Sequence, residues 1–156
     1  MSEGCEVPLM NAPSAEIRAL LEGQKVIAIV GLSDKPDRDS NRVARYLIDQ
    51  GYTVVPVNPT CESILGLRCH PSVAEVPGEI GIVDIFRKPE AVPGIVEEAI
   101  RRKAKAVWMQ EGIVNNRSAA VARAAGLAVV MNKCIMKEHR KLMAAETGKK
   151  KEESEG

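Results

Sequence analysis

The chain has 156 residues, 45% of them apolar, with 22 Lys and Arg against 21 Asp and Glu and a formal net charge of +1. That size suits one domain, residues 1–156, and the balanced charge gives no broad field for nucleic acid or an anionic membrane surface. No apolar run approaches the ~20 residues of a membrane span, and the polar start MSEGCEVPLMNAP is unlike a signal peptide, so a cytoplasmic protein is expected. In chain order, SAEIRALLEG (14–23) has helical spacing with Ser14 as its N-cap, and KVIAIV (25–30) reads as a strand. The stretch VGLSDKPDRDSN (30–41) turns at Gly31 and leads into RVARYLIDQ (42–50), where Val43, Ala44, Leu47 and Ile48 share one helical face and Gly51 provides a cap. YTVVPV (52–57) is a second strand.

TCESILGLRCHPSVAEVP is the least defined connection, where loop and a short turn stand in for a helix. IGIVDIF (80–86) is a third strand, followed by a helix that places Val92, Ile95, Val96, Ala99 and Ile100 together, with Pro93 in its first turn. AKAVWM (104–109) and LAVVM (127–131) complete five strands, Gly126 capping the helix between them, and KCIMKEHRKLM (133–143) closes the fold with Ile135, Met136, His139, Leu142 and Met143 on one face. None of the strands alternates cleanly, so each is expected to be covered on both sides. Repeated β-α units with short connections specify an α/β fold, a three-layer doubly wound parallel sheet of about five strands. The ordered core spans about 14–145, and the nearly apolar-free TGKKKEESEG (147–156) is expected to be flexible.

Cys5, Cys61, Cys69 and Cys134 include no C-x-x-C pair, and a chain of this length needs no staples, so reduced thiols are expected. The spacing of Cys61, Cys69 and His70 matches no standard zinc pattern. Trp108 and His139 lie within apolar patterns and read as packing residues, and nothing fixes Asp84 and Glu111 as an acid/base pair. With two histidines and no G-x-S-x-G elbow, no catalytic residue is assigned.

In a doubly wound sheet, ligands sit at the carboxyl ends of the strands beside the point where strand order reverses. The residues to weigh are Gly31 to Lys35, Asn58 with Pro59, Phe86 to Lys88, Gln110 to Gly112, and Asn132 to Cys134. Ser40 is expected to cap the first helix, leaving N–H groups for a diphosphate, with Lys35, Arg38 and Arg42 nearby. The loop lacks G-x-G-x-x-G, and strand two ends in VNP rather than in an acid for ribose hydroxyls, so a nicotinamide or flavin dinucleotide does not fit the pattern. The P-loop pattern is also absent.

Four segments, AIVGLSDKPDRDSNRVARYLIDQGYTVVPVNP, IVDIFRKPEAVPGIVEEAI, VWMQEGIVN and AGLAVVMNKC, resemble the small bacterial and archaeal CoA-binding protein family. That family is similar to the CoA-binding domain that opens the succinyl-CoA synthetase alpha subunit. The likeness covers about Ile17 to Leu142 and implies a Rossmann-like domain holding coenzyme A through its diphosphate and 3′-phosphate. Position by position, it implies that Gly31, Ser33, Asp34 and Lys35 wrap phosphate and that Arg42 forks onto it. Asn58 and Pro59 would then lie near the adenosine end, and Phe86 against adenine or pantetheine. Arg87 and Lys88 would meet the 3′-phosphate, while Gln110, Glu111 and Gly112 line the pantetheine path. Cys134, or Cys61, would stand close enough to the CoA thiol for a mixed disulfide under oxidising conditions.

The resemblance implies a CoA or acyl-CoA binding module without chemistry of its own; the alternative is an NAD(P)- or acyl-CoA-dependent enzyme on the same fold, since fold alone does not choose. If the chain self-associates, a two-fold homodimer is the expected form.

Overall fold

Five short runs of β-branched residues pair side by side into one parallel sheet. The computed structural model describes the backbone of residues 6–155 and the side chains of 6–147, so Cys5 lies outside the described residues. Along the chain the elements are α1 (Ser14–Gly23), β1 (Val26–Val30), α2 (Asp39–Asp49), β2 (Thr53–Val57), β3 (Ser63–Ile64), β4 (Leu67–Arg68), β5 (Ile82–Ile85), α3 (Val92–Arg101), β6 (Ala106–Met109), α4 (Asn116–Ala124), β7 (Ala128–Val130) and α5 (Ile135–Glu155). From β1 the chain goes outward to β2, then returns to build β5, β6 and β7 on the other side, so the order reverses between β1 and β5.

Alternation along the strands divides the interior into two layers. Ala28, Val83, Val107 and Val129 point to one face with the apolar residues of α3 and α4, while Ile27, Ile29, Ile82 and Trp108 point to the other with those of α1, α2 and α5. Both faces are thus covered, which is why the strands read as continuous apolar runs. Trp108 is fully buried and its Nε1 donates to Lys133 O at 2.8 Å, a packing role. His139 is buried against Tyr46, to which its Nδ1 is hydrogen-bonded at 2.7 Å, and burial pushes its pKa down.

Several local expectations are corrected. Ser14 is the first residue of α1 rather than its cap, because Pro13 occupies the cap position. Ser40 lies inside α2, whose cap position is Arg38 with no side-chain cap, and its Oγ instead accepts from Ser33 N at 2.9 Å. Ile48 and Met143 stand 38% and 42% exposed, off the buried faces of their helices. The connection after β2 forms the β3-β4 hairpin and a 3-10 turn at Val73–Glu75. The backbone of α5 runs on to Glu155.

Residues 6–13, silent as sequence, form a strap. Asn11 closes it onto the edge strand by donating to Met131 O at 2.9 Å and accepting from Met131 N at 3.0 Å. Among the described residues no helix is long and apolar enough to cross a membrane.

Candidate functional site

Register puts the strand ends in line. Val57 pairs with Val30, Val30 with Ile85 and Ile85 with Met109, so the next residues, Asn58, Gly31, Phe86 and Gln110, form a row across the carboxyl edge of the sheet. Gly31 and Phe86 therefore flank the point where strand order reverses. Gly31 has φ +87°, and a Cβ built there meets Phe86 O at 2.5 Å and Arg87 Cδ at 2.9 Å. No other residue type fits that approach.

Side chains hold the loop after β1 in shape. Ser33 N donates to Ser40 Oγ at 2.9 Å, Asn41 Nδ2 to Ser33 O at 2.9 Å, and Lys35 N to Ser33 Oγ at 3.1 Å. From the neighbouring strand end, Asn58 Nδ2 donates to Leu32 O at 2.9 Å while its Oδ1 accepts from Thr60 N at 2.8 Å. The amide of Asn58 is thus a brace for the loop. A second set of bonds ties the segments after β6 and β7. Gly112 N donates to Asn132 Oδ1 at 2.8 Å, Ile135 N to Gln110 Oε1 at 3.2 Å, and Lys137 pairs with Glu111 at 2.9 Å, an interaction that raises the lysine pKa.

These segments enclose two adjoining depressions. Gly31, Ser33, Lys35 and Phe86 line one of about 410 Å³, together with Arg38 and Ser40. Phe86 and Asp39 also border a larger one of about 620 Å³. Its walls carry Arg42, Arg87 and Lys88 on one side and Gln110, Gly112 and Cys134 on the other. Asn58 and Pro59 lie apart, in a depression of about 480 Å³ shared with Cys61 and Cys69. Asp34 lines none of the three.

Several lining residues escaped the sequence reading, among them Asp39, Met136 and Lys137. Asp39 forms an ion pair with Arg42, and Met136 and Lys137 reach the larger depression from the first turn of α5. The signal for the last two was their place directly after NKC. Across both depressions six cations, Lys35, Arg38, Arg42, Arg87, Lys88 and Lys137, face two carboxylates, Asp39 and Glu111. A chain of net charge +1 thus concentrates positive charge at one edge, beside the uncapped start of α2.

Asp84 is two residues from the edge but contributes nothing to it. Flanked by Ile29 and Trp108 in the sheet, it is fully buried, neither carboxyl oxygen has a partner among the described residues, and burial pushes its pKa well up. It forms no pair with the exposed Glu111. A further cavity of about 420 Å³ lies between α1 and α5, lined by Ser14, Arg18, Glu138 and Lys141 among others, and no strand end reaches it.

Residues 25–140 match the model of a family described as CoA binding domain. The chain is 40% identical over 131 residues to the uncharacterized protein YneT of Bacillus subtilis (strain 168), covering 84% of this chain and 97% of that protein. A solved structure of a hypothetical protein from Pyrococcus horikoshii OT3 superposes with a TM-score of 0.83 at 43% identity, covering 90% of this chain and 99% of that one. The ADP-forming acetate–CoA ligase I of Archaeoglobus fulgidus (strain ATCC 49558) is 35% identical over 78 residues, which are 50% of this chain and 11% of the ligase.

Proposed function

This chain belongs to the CoA binding domain family, and from that premise we propose that it binds coenzyme A or an acyl-CoA at the carboxyl edge of its sheet, as a module without catalytic chemistry of its own. The observation that carries the reading is the two adjoining depressions, where six cations face two carboxylates around the Gly31 turn. The smaller one, built from loop and helix start, suits the diphosphate: Lys35 and Arg38 supply charge and the first turn of α2 supplies N–H groups. Arg87 and Lys88 take the 3′-phosphate, which a nicotinamide dinucleotide does not carry. The arm of the ligand then passes Phe86 into the larger depression toward Gln110, Gly112 and Cys134. Asn58 supports this site by holding Leu32, and Pro59 follows it on the adenosine side. The free thiols Cys61, Cys69 and Cys134 suit a reducing cytoplasm.

Native mass spectrometry with equimolar CoA, dephospho-CoA and NAD tests the reading. CoA is expected to dominate the bound species, with dephospho-CoA weaker by about tenfold or more, the loss of one charge-assisted phosphate contact. Preferential NAD binding would overturn it.

The Arg42-Asp39 pair has both side chains exposed, 54% and 79%, so it breaks at little cost. Asp39→Asn leaves Arg42 free and removes a carboxylate from the phosphate wall. Isothermal titration should show CoA binding about threefold to tenfold tighter in this variant at low salt, and the gain should shrink as salt is added.

A further inference from the structure

The inner end of the larger depression holds one polar group that the fold leaves unused. Gln110 is 4% exposed and borders the cavity. Its Oε1 accepts Ile135 N–H at 3.2 Å, which fixes the carboxamide beside the peptide bond joining Cys134 to Ile135. Among the described residues nothing accepts from its Nε2, although this nitrogen is not sealed in the protein interior as the Asp84 oxygens are. A solvent-reachable donor on a side chain this buried is available to whatever acceptor occupies the cavity. Next to it lies the thiol of Cys134, also buried and also a cavity-lining group, at the start of α5 with Lys137 one turn on.

We propose that this corner receives the thioester of an acyl-CoA and that Cys134 accepts the acyl group. The inference rests on the CoA-binding part of the reading above and goes beyond its module without chemistry by assigning Cys134 one acyl transfer. A carbonyl oxygen is the acceptor the Gln110 amide lacks, and a thioester offers one where a free thiol or a disulfide does not. Cys134 Sγ attacks the carbonyl carbon, forming a new C–S bond. The C–S bond to CoA breaks, and CoA leaves with the proton that Cys134 gives up. One thioester replaces another, so no oxidant, reductant or water is consumed. Gln110 Nε2 donates to the carbonyl oxygen as it gains negative charge, and the start of α5 and Lys137 stabilise charge on sulfur.

The test uses the full chain, kept reduced with a phosphine, mixed with acetyl-CoA and followed by intact mass and peptide mapping. The expected product is one acetyl group on Cys134, released by neutral hydroxylamine, at a rate that saturates with acetyl-CoA concentration. Cys134→Ser should give no hydroxylamine-labile adduct. Gln110→Glu keeps the acceptor for Ile135 N–H and removes the donor, so its acylation rate at saturating acetyl-CoA should fall about 100-fold. Titration of CoA into the unmodified protein separates the two levels. CoA binding with no acetyl transfer, or with transfer spread over Cys61 and Cys69, overturns the inference and leaves the binding reading standing. Absence of CoA binding overturns both.

Discussion

Gly31→Ala should lower the melting temperature by about 10 °C and weaken CoA binding by about tenfold or more. The added methyl group would stand 2.5 Å from the backbone oxygen of Phe86, at a residue whose φ is +87°. A left-handed conformation costs a non-glycine residue about 1–2 kcal/mol, and crowding against a fixed backbone atom costs about 1–3 kcal/mol more. For a domain of this size, a loss of about 3 kcal/mol corresponds to that shift in melting temperature. Arg87 Cδ can move aside, but Phe86 O belongs to the sheet edge, so relief comes from displacing the loop that Ser33, Ser40 and Asn41 hold. Binding therefore falls together with stability. Gly23→Ala is the control: a Cβ there meets nothing within 4 Å at the end of α1, and stability should stay level or rise. Thermal melts of both variants, with CoA titrations, check the pair; equal melting temperatures for Gly31→Ala and the parent would contradict the described turn.

The second large effect concerns pH. Asp84 has a pKa raised by burial, with no partner for either oxygen, so the folded state keeps it protonated where the unfolded chain has lost the proton. Its contribution to stability is then greatest below the ordinary carboxyl range and declines as pH rises, by about 1.4 kcal/mol per unit, until the folded carboxyl itself ionises. Asp84→Asn preserves shape and removes that slope. Urea unfolding at a series of pH values should show the variant near or slightly below the parent at pH 4 and progressively more stable toward pH 7. The comparison is taken as a difference between the two proteins because His139, whose pKa is lowered by burial, changes stability in the opposite sense as pH falls through the ordinary imidazole range. A difference that stays flat with pH would mean that ionised Asp84 has a compensating partner.

The five strands were legible because both faces of the sheet are covered, which writes each one as a continuous β-branched run. The β3-β4 hairpin was not. Its turn places Leu65 at φ 55° and Gly66 at φ 75°, a geometry that sequence normally signals with Asn-Gly or Asp-Gly, and a leucine in a left-handed conformation gives no such cue. Helix caps misled for a related reason: Ser14 and Ser40 are good cap residues by type, but Pro13 holds the cap position of α1 and the Ser40 hydroxyl is taken by the loop it faces. At the site, the residues after β1, β5 and β6 followed from strand ends alone, since register aligns them. Asp39, Met136 and Lys137 did not, because they arrive from helix first turns whose rotation about the helix axis depends on packing. Asn58 stands at the strand end that the sequence indicated, and its side-chain amide braces the loop there.

The most direct measurement is a map of backbone amide shifts by two-dimensional NMR as CoA is added to labelled protein. The largest changes are expected at Gly31–Ser40, Phe86–Lys88, Gln110–Gly112 and around Cys134, with Ser14–Leu21 and Glu138–Leu142 nearly still. Changes concentrated instead on the cavity between α1 and α5, or spread without pattern over the surface, would contradict the assignment of the sheet edge as the CoA site.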